Sequence, residues 1–271
     1  MGLVYAIANQ KGGVGKTTTV VNLAAYFGAR GKRVLCIDID PQGNTTTGLG
    51  IKKRSLTASS YHVLNGSAKI ADVIQQTEYE NVSIVPARDE LAGCELELSQ
   101  MEYRATRLRM QLLTCKADHD YIFIDCPPAL GLLTLNGLAA ADEIIVPMTA
   151  EFYALEGLSQ LMTTMKAVRA NLNPSLKIAG ILFVMFDPRL NVSRQVEEEV
   201  AKYFPNQIFR TKIPRNVRLS EAPSYGKPVM YYDKNSKGAE AYAELGMELL
   251  GETPPPKEKK RFQLFHRKNK N

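Results

Sequence analysis

One stretch near the N-terminus concentrates residues that could do chemistry. Asn9-Gln10-Lys11-Gly12-Gly13-Val14-Gly15-Lys16-Thr17-Thr18 sets two lysines and two hydroxyls around three glycines. Glycines let successive backbone N–H groups converge on an anion, and a helix that starts there adds partial positive charge. Lys16 is placed to neutralise the outer phosphates of a nucleoside triphosphate, and the Thr17 hydroxyl can ligate Mg²⁺. A structural Gly-rich turn would have no use for Lys-Thr-Thr at this point. The apolar run Val4–Ala8 precedes the loop and the helical candidate Lys16–Arg30 follows it, which is the context a phosphate-binding P-loop requires.

Two carboxylate segments come next. Val34–Asp38 is an apolar strand candidate that leads into Ile39-Asp40-Pro41-Gln42-Gly43. The two-residue period of a strand puts Asp38 and Asp40 on one face, which suits Asp38 to the metal shell and Asp40 to orienting water. Tyr121–Asp125, followed by Cys126-Pro127-Pro128, is an apolar strand ending in a single acid. Asp125 is expected to hold Mg²⁺ through water, since that ion sheds its hydration reluctantly. Either aspartate alone could simply end a strand or cap a helix. Their order after a phosphate loop argues for the metal and water roles.

The loop departs from G-x-x-x-x-G-K-[ST] because Gln10 stands where the first glycine belongs and Lys11 is an additional lysine. In this it resembles the deviant Walker-A ATPases, whose loop reads K-G-G-x-G-K-[ST]. The resemblance implies that Lys11 reaches across a dimer to the partner's nucleotide and stabilises the transferring phosphoryl group, as an arginine finger does. It narrows further to the ParA/Soj type over roughly residues 1–250, carried by the blocks 38–47, 125–131, 151–157 and 213–223. The implied activity is a Mg²⁺-dependent, slowly turning-over ATPase that segregates chromosomes or plasmids, cytoplasmic and associated with the nucleoid. The implied behaviour is an ATP-sandwich homodimer that binds double-stranded DNA without sequence preference and is stimulated by a ParB-type centromere-binding protein. By the same resemblance Pro214, Asn216 and Met185 lie near the adenine, beside the loop residues Lys11 to Thr18. Arg189 and Arg218 become the DNA contacts.

Residues 207–237 support DNA binding in part, with seven cations (Arg210, Lys212, Arg215, Arg218, Lys227, Lys234, Lys237) against Glu221 and Asp233. Such a patch would grip phosphates without reading bases and in a salt-dependent way. On charge alone it is equally an ordinary solvated surface. Nitrogenase iron proteins share the deviant loop but carry a cluster-ligating cysteine several residues past the second acid. Here Cys126 follows Asp125 directly and residues 131–135 contain none, which argues against an iron–sulfur centre. A nucleotide-binding switch with little turnover is a further alternative.

These residues need a scaffold to position them. Further strand candidates are Val82–Pro86, Glu143–Pro147, Ile178–Met185 and Gln207–Arg210. Further helical candidates are Glu90–Lys116, Thr134–Ala141, Leu155–Asn171, Ser193–Tyr203 and Ala239–Leu250. Several of the strands are continuously apolar, the pattern of strands buried on both faces. The alternation predicts an α/β fold, a doubly wound and mostly parallel sheet with helices on both faces. No apolar run approaches the roughly 20 residues that span a bilayer, and the N-terminus does not read as a secretory signal. The four cysteines show no paired spacing, so reduced and mostly buried thiols are expected.

The net charge is +6. Residues 254–271 hold seven of the 34 Lys/Arg and one of the 28 Asp/Glu, so residues 1–253 are neutral with 27 of each. A boundary is therefore expected at the Thr253-Pro-Pro-Pro256 run, between an ATPase domain (1–253) and a basic, disordered tail (254–271). Phe262, Leu264 and Phe265 among the tail's cations leave open a short membrane-binding helix of the MinD type. That placement, a MinD-like membrane-associated positioning ATPase, is the alternative to partitioning.

Overall fold

The computed structural model describes residues 2–252; the basic segment 254–271 lies outside them. Eight strands form one sheet: β1 (Leu3–Ile7), β2 (Val34–Asp38), β3 (Gln75–Gln76), β4 (Val82–Val85), β5 (Tyr121–Asp125), β6 (Glu143–Thr149), β7 (Lys177–Phe186) and β8 (Ile213–Pro214). Their order is β3-β4-β2-β5-β1-β6-β7-β8, and every pairing is parallel except that of β3 with β4. The helices are α1 (Lys16–Ala29), α2 (Asn44–Gly48), α3 (Ser60–Asn65), α4 (Ile70–Val73), α5 (Cys94–Ser99) and α6 (Arg107–Leu112). They continue as α7 (Leu132–Ala140), α8 (Ala154–Asn171), α9 (Asn191–Tyr203), α10 (Val217–Glu221), α11 (Val229–Tyr232) and α12 (Lys237–Leu249).

The sheet is covered on both faces, and strand alternation decides which residue goes where. On β1, Val4 and Ala6 join the core under α5 to α9, whereas Tyr5 and Ile7 pack on the other face with α1 and α12. Cys36 and Ile37 of β2 divide in the same way. Both faces being apolar is why the central strands read as continuous hydrophobic runs. Phe27 anchors α1 to the sheet, fully buried with its ring edge-on to Tyr121 and Phe123 at 4.5 and 5.5 Å. All four cysteines are free and buried.

Two expected elements differ. The helix expected over Glu90–Lys116 is interrupted between α5 and α6, with Tyr103 in the left-handed region (φ 55°). Asn136 of α7 holds the interruption, donating to the Arg104 carbonyl at 2.7 Å and accepting from the Leu108 N–H at 3.1 Å. A buried side-chain amide thus supplies backbone partners that an uninterrupted helix would have supplied itself. The strand expected over Gln207–Arg210 is reduced to one parallel bridge, Ile208 to Ile181, and the sheet's last strand is the two-residue β8. Pro214 has no N–H to extend that ladder.

Parallel register brings the chemistry-bearing segments to one level. Asp125 is opposite Ile7 on one side and opposite Asp38 on the other. The loop that follows β1 therefore starts beside two carboxylates, at the carboxyl end of the sheet where open α/β folds place their ligands.

Candidate functional site: a phosphate loop backed by two buried carboxylates

The loop between β1 and α1 is shaped by its glycines. Gly13 and Gly15 have φ of 72° and 76°, values open to glycine at little cost. A Cβ placed on Gly12 or Gly13 would meet no atom within 4 Å, so the space in front of these peptides is open. Asn9 fixes the entry to the loop, with its side chain donating to the Pro147 carbonyl at 2.7 Å and accepting from the Lys11 N–H at 3.0 Å. Lys16 is 6% exposed and donates to the Lys11 carbonyl at 3.1 Å. Burial lowers the Lys16 pKa, an effect opposed by the nearby Asp125 carboxylate.

Behind the loop, Asp125 and Asp38 are fully buried. One Asp125 oxygen accepts from the Thr17 and Thr45 hydroxyls, each at 2.7 Å. Its other oxygen is buried without a partner. A carboxylate oxygen left without a donor beside a helix-start hydroxyl is a fit for a hydrated divalent cation rather than for another side chain. Among the described residues no group of three or more His, Cys, Asp or Glu could hold a metal. An ion here would depend on Thr17, Asp125, water and phosphate oxygens, which is the usual way Mg²⁺ is held.

Asp38 is differently employed. Its Oδ2 accepts from the Thr46 N–H at 2.8 Å and the Thr46 hydroxyl at 2.7 Å, and its Oδ1 accepts from the Asp40 N–H at 3.2 Å. Thr46 in turn accepts from the Ala87 N–H at 2.8 Å, tying the ends of β2 and β4 together. Burial pushes the Asp38 carboxyl up to about 7, with repulsion from Asp125 adding to the shift. Burial likewise raises Asp125 to about 6, against the donors Thr17 and Thr45, which lower it.

A cavity of about 450 Å³ opens in front of this arrangement, within the range of small-molecule sites. Its walls include Gly12, Gly13, Gly15, Lys16, Thr17, Thr18 and Asp40, together with Met185, Pro214 and Asn216 from the far side. Segments more than 160 residues apart thus meet around one space. Met185 sits at φ 51° where the β7–β8 register shifts, which turns its side chain out of the regular ladder. Asn216 caps α10 by accepting from the Arg218 N–H at 3.0 Å.

The remaining expected residues lie off the wall. Asp38 does not line the cavity, and the shared face expected for Asp38 and Asp40 is not formed. β2 ends at Asp38, and Asp40 lies in the following turn, where its carboxylate accepts from the Gln42 N–H at 2.9 Å. Val14 is buried. Lys11 points away to an ion pair with Glu151, at the start of the β6–α8 connection, and both side chains are partly exposed. Neither Arg189 nor Arg218 lines the cavity, although Arg218 lies on α10 between the lining residues Asn216 and Leu219. Sequence reading assigned no role at the nucleotide site to Thr45, Thr46, Gln42, Asn44, Pro128 or Tyr242, and counted Arg215, which lines the cavity, only among the cations of the basic region. The first four follow Asp40 closely in Gln42-Gly-Asn-Thr-Thr46, and that spacing was the available signal.

Several known proteins are similar to this chain over most of its length. A family described as an AAA domain matches residues 2–178. The sporulation initiation inhibitor protein Soj of Bacillus subtilis is 53% identical over 249 residues, covering 92% of this chain and 98% of that protein. The chromosome partitioning protein ParA of Myxococcus xanthus is 50% identical, with coverage of 96% and 92%. This chain belongs to the Soj/ParA family of chromosome-partitioning ATPases. Among solved structures, a cobyrinic acid a,c-diamide synthase from Mycobacterium smegmatis, bound to an ATP analogue and magnesium, superposes with a TM-score of 0.81 at 38% identity, covering 92% of this chain and 95% of that one. One phosphate-gripping fold thus carries differently named proteins, so membership sets the nucleotide chemistry more firmly than what that chemistry drives.

The basic region offers different geometry. The Arg189 side chain is 87% exposed and forms a forked pair with Asp187 at 2.9 and 2.7 Å. Arg218 pairs with Glu221 at 2.7 Å and Asp233 at 3.2 Å. Arg210 and Lys212 are paired with Glu248 and Glu197. Several of the cations that stand out in the sequence are therefore neutralised locally, some by acids of their own segment and some by acids of other elements.

Proposed function

We propose that this protein binds MgATP in the 450 Å³ cavity, pairs with a second copy when ATP is bound, and binds DNA non-specifically in that state. A ParB-type partner stimulates hydrolysis, and hydrolysis releases the dimer. The observation that carries the reading is the unpartnered, fully buried oxygen of Asp125 beside Thr17, at the back of an open glycine loop. The magnesium and ATP analogue bound to the Mycobacterium smegmatis structure support the same assignment. When bound, Mg²⁺ would neutralise charge developing on the outer phosphates.

In this reading Lys16 and the amides of residues 12–18 hold the phosphates. Thr17 and Asp125 hold the metal shell, while Asp38 stiffens that shell through Thr46 and contacts the ion only through water. Asp40, on the cavity wall, orients the attacking water. Met185, Pro214 and Asn216 flank the base. Lys11 exchanges Glu151 for the nucleotide of the second subunit. Arg189 and Arg218 exchange their carboxylate partners for DNA phosphates.

Among the described residues no helix is long and apolar enough to cross a membrane. The proposed location is the cytoplasm, on the nucleoid, with residues 254–271 as a basic arm distinct from the ATPase body. Duplex DNA binding and subunit pairing, each measured with ATP, with ADP and without nucleotide, test the reading together. Binding and pairing confined to ATP and Mg²⁺ support it; equal behaviour in all three conditions removes it.

A further inference from the structure

The loop between Asp125 and α7 is anchored from outside itself. Cys126 donates to the Ile7 carbonyl at 3.2 Å, which holds the loop's first residue, and Pro128 forms part of the cavity wall. At the far end α7 starts after Gly131, whose side chain cannot cap a helix. Glu95 of α5 does so instead, its Oε1 accepting from the Leu133 N–H at 3.0 Å. A Cβ on residue 131 would lie 2.2 Å from the same oxygen, so glycine at this position is what lets the carboxylate approach. Thr134 adds a hydroxyl bond back to the Ala129 carbonyl. Glu95 is itself held in place, because its neighbours Cys94 and Leu98 are fully buried in the core.

We infer that Glu95 is a positioning residue for nucleotide hydrolysis. By capping α7 it sets the path of residues 127–131, and so sets Pro128 against the nucleotide and Asp125 against the metal shell. A carboxylate at a helix N-terminus is favoured by the unpaired amides and the helix dipole together. Removing it frees the first turn of α7 and the loop that leads into it. The phosphate loop has anchors of its own, Asn9 to the Pro147 carbonyl and Lys16 to the Lys11 carbonyl. Hydrolysis should therefore suffer more than nucleotide affinity.

This inference rests on the ATPase reading above, and the test separates the two. Single-turnover hydrolysis and ATP-analogue affinity are measured for the wild type, Lys16→Ala, Glu95→Ala, Glu95→Gln and Gly131→Ala. Glu95→Ala should slow hydrolysis about 10-fold while affinity moves less than about 3-fold. Glu95→Gln, which keeps an acceptor oxygen, should recover most of the rate. Gly131→Ala, which displaces the carboxylate, should behave like Glu95→Ala. Wild-type hydrolysis that survives Lys16→Ala would overturn the ATPase reading. If Lys16→Ala abolishes hydrolysis but Glu95→Ala matches the wild type, or loses affinity and rate in equal measure, the positioning role is wrong.

Discussion

The nucleotide cleft and the basic face use charge in opposite ways. In the cleft, Lys16, Asp38, Asp40 and Asp125 are almost entirely removed from solvent, and each is held by named donors or acceptors. On the basic face, Arg189 is 87% exposed and Arg210 80% exposed, and each is matched with a nearby carboxylate in a solvated pair. A buried charge cannot change partners without a large cost, so the cleft is preorganised for one ligand. An exposed pair contributes roughly 0 to 1 kcal/mol and exchanges readily, which suits a surface that must take hold of a polyanion and let go.

The contrast predicts a graded set of effects. Lys16→Ala should cause the largest loss, on the order of 100-fold or more in ATP hydrolysis, because a preorganised charge in a closed site is worth several kcal/mol at the transition state. A hydrolysis assay with DNA and the ParB-type partner present measures it. A loss under 5-fold would place Lys16 with the exchangeable cations instead.

The next effect is one of pH on the nucleotide-free protein. Burial raises Asp38 to about 7 and Asp125 to about 6, above the ordinary carboxyl value near 4. The folded protein therefore holds protons that the unfolded chain releases between about pH 4 and pH 7. The stabilisation from this pair is complete below that window and is lost as pH rises through it. Asp38→Asn cannot release a proton, so relative to the wild type it should gain on the order of 2 kcal/mol between pH 5 and pH 8. Urea unfolding of both proteins at the two pH values reads the difference. A constant offset would mean that the pair is not electrostatically strained.

Smaller effects are expected on the exposed side. Arg189→Ala with Arg218→Ala should weaken ATP-dependent binding to duplex DNA about 10-fold and flatten the salt dependence, by close to one unit of slope for each lost phosphate contact. Basal hydrolysis without DNA should be unchanged. Unaltered DNA binding at low salt would remove both residues from the interface. Arg210→Ala should be smallest, within about 0.5 kcal/mol of wild-type stability in thermal unfolding. Glu248 keeps its bonds to the backbone N–H groups of residues 210 and 211 at 2.8 and 2.9 Å when the guanidinium is gone.

Part of this molecule was legible in the sequence. The strands over Val34–Asp38 and Tyr121–Asp125 were read to the residue, because doubly buried strands are uniform apolar runs bounded by polar groups. The phosphate loop was legible because its chemistry is local, ten residues long with its glycines and cations adjacent. The interruption between α5 and α6 was not, because the amide that holds it open belongs to Asn136, some 30 residues further on. Thr45 and Thr46 were hidden for a related reason. Nothing in a Thr-Thr-Thr run says which hydroxyl will meet Asp125, 80 residues away, and which will meet Asp38.

By itself the sequence determined the kind of ligand, the alternation of the central strands with the longer helices, and the carboxylate segments that follow the phosphate loop. These depend on periodicity and on contiguous residues, which a linear chain displays. Only the tertiary structure decided that Asp38 faces Thr46 while Asp40 faces the cavity, that Met185, Pro214 and Asn216 close the space opposite the glycines, and that Arg210, Lys212 and Arg218 of the basic region are already paired. Those facts depend on register and on side chains from distant segments competing for the same few donors. Chain connectivity sets neither of these before the sheet is assembled.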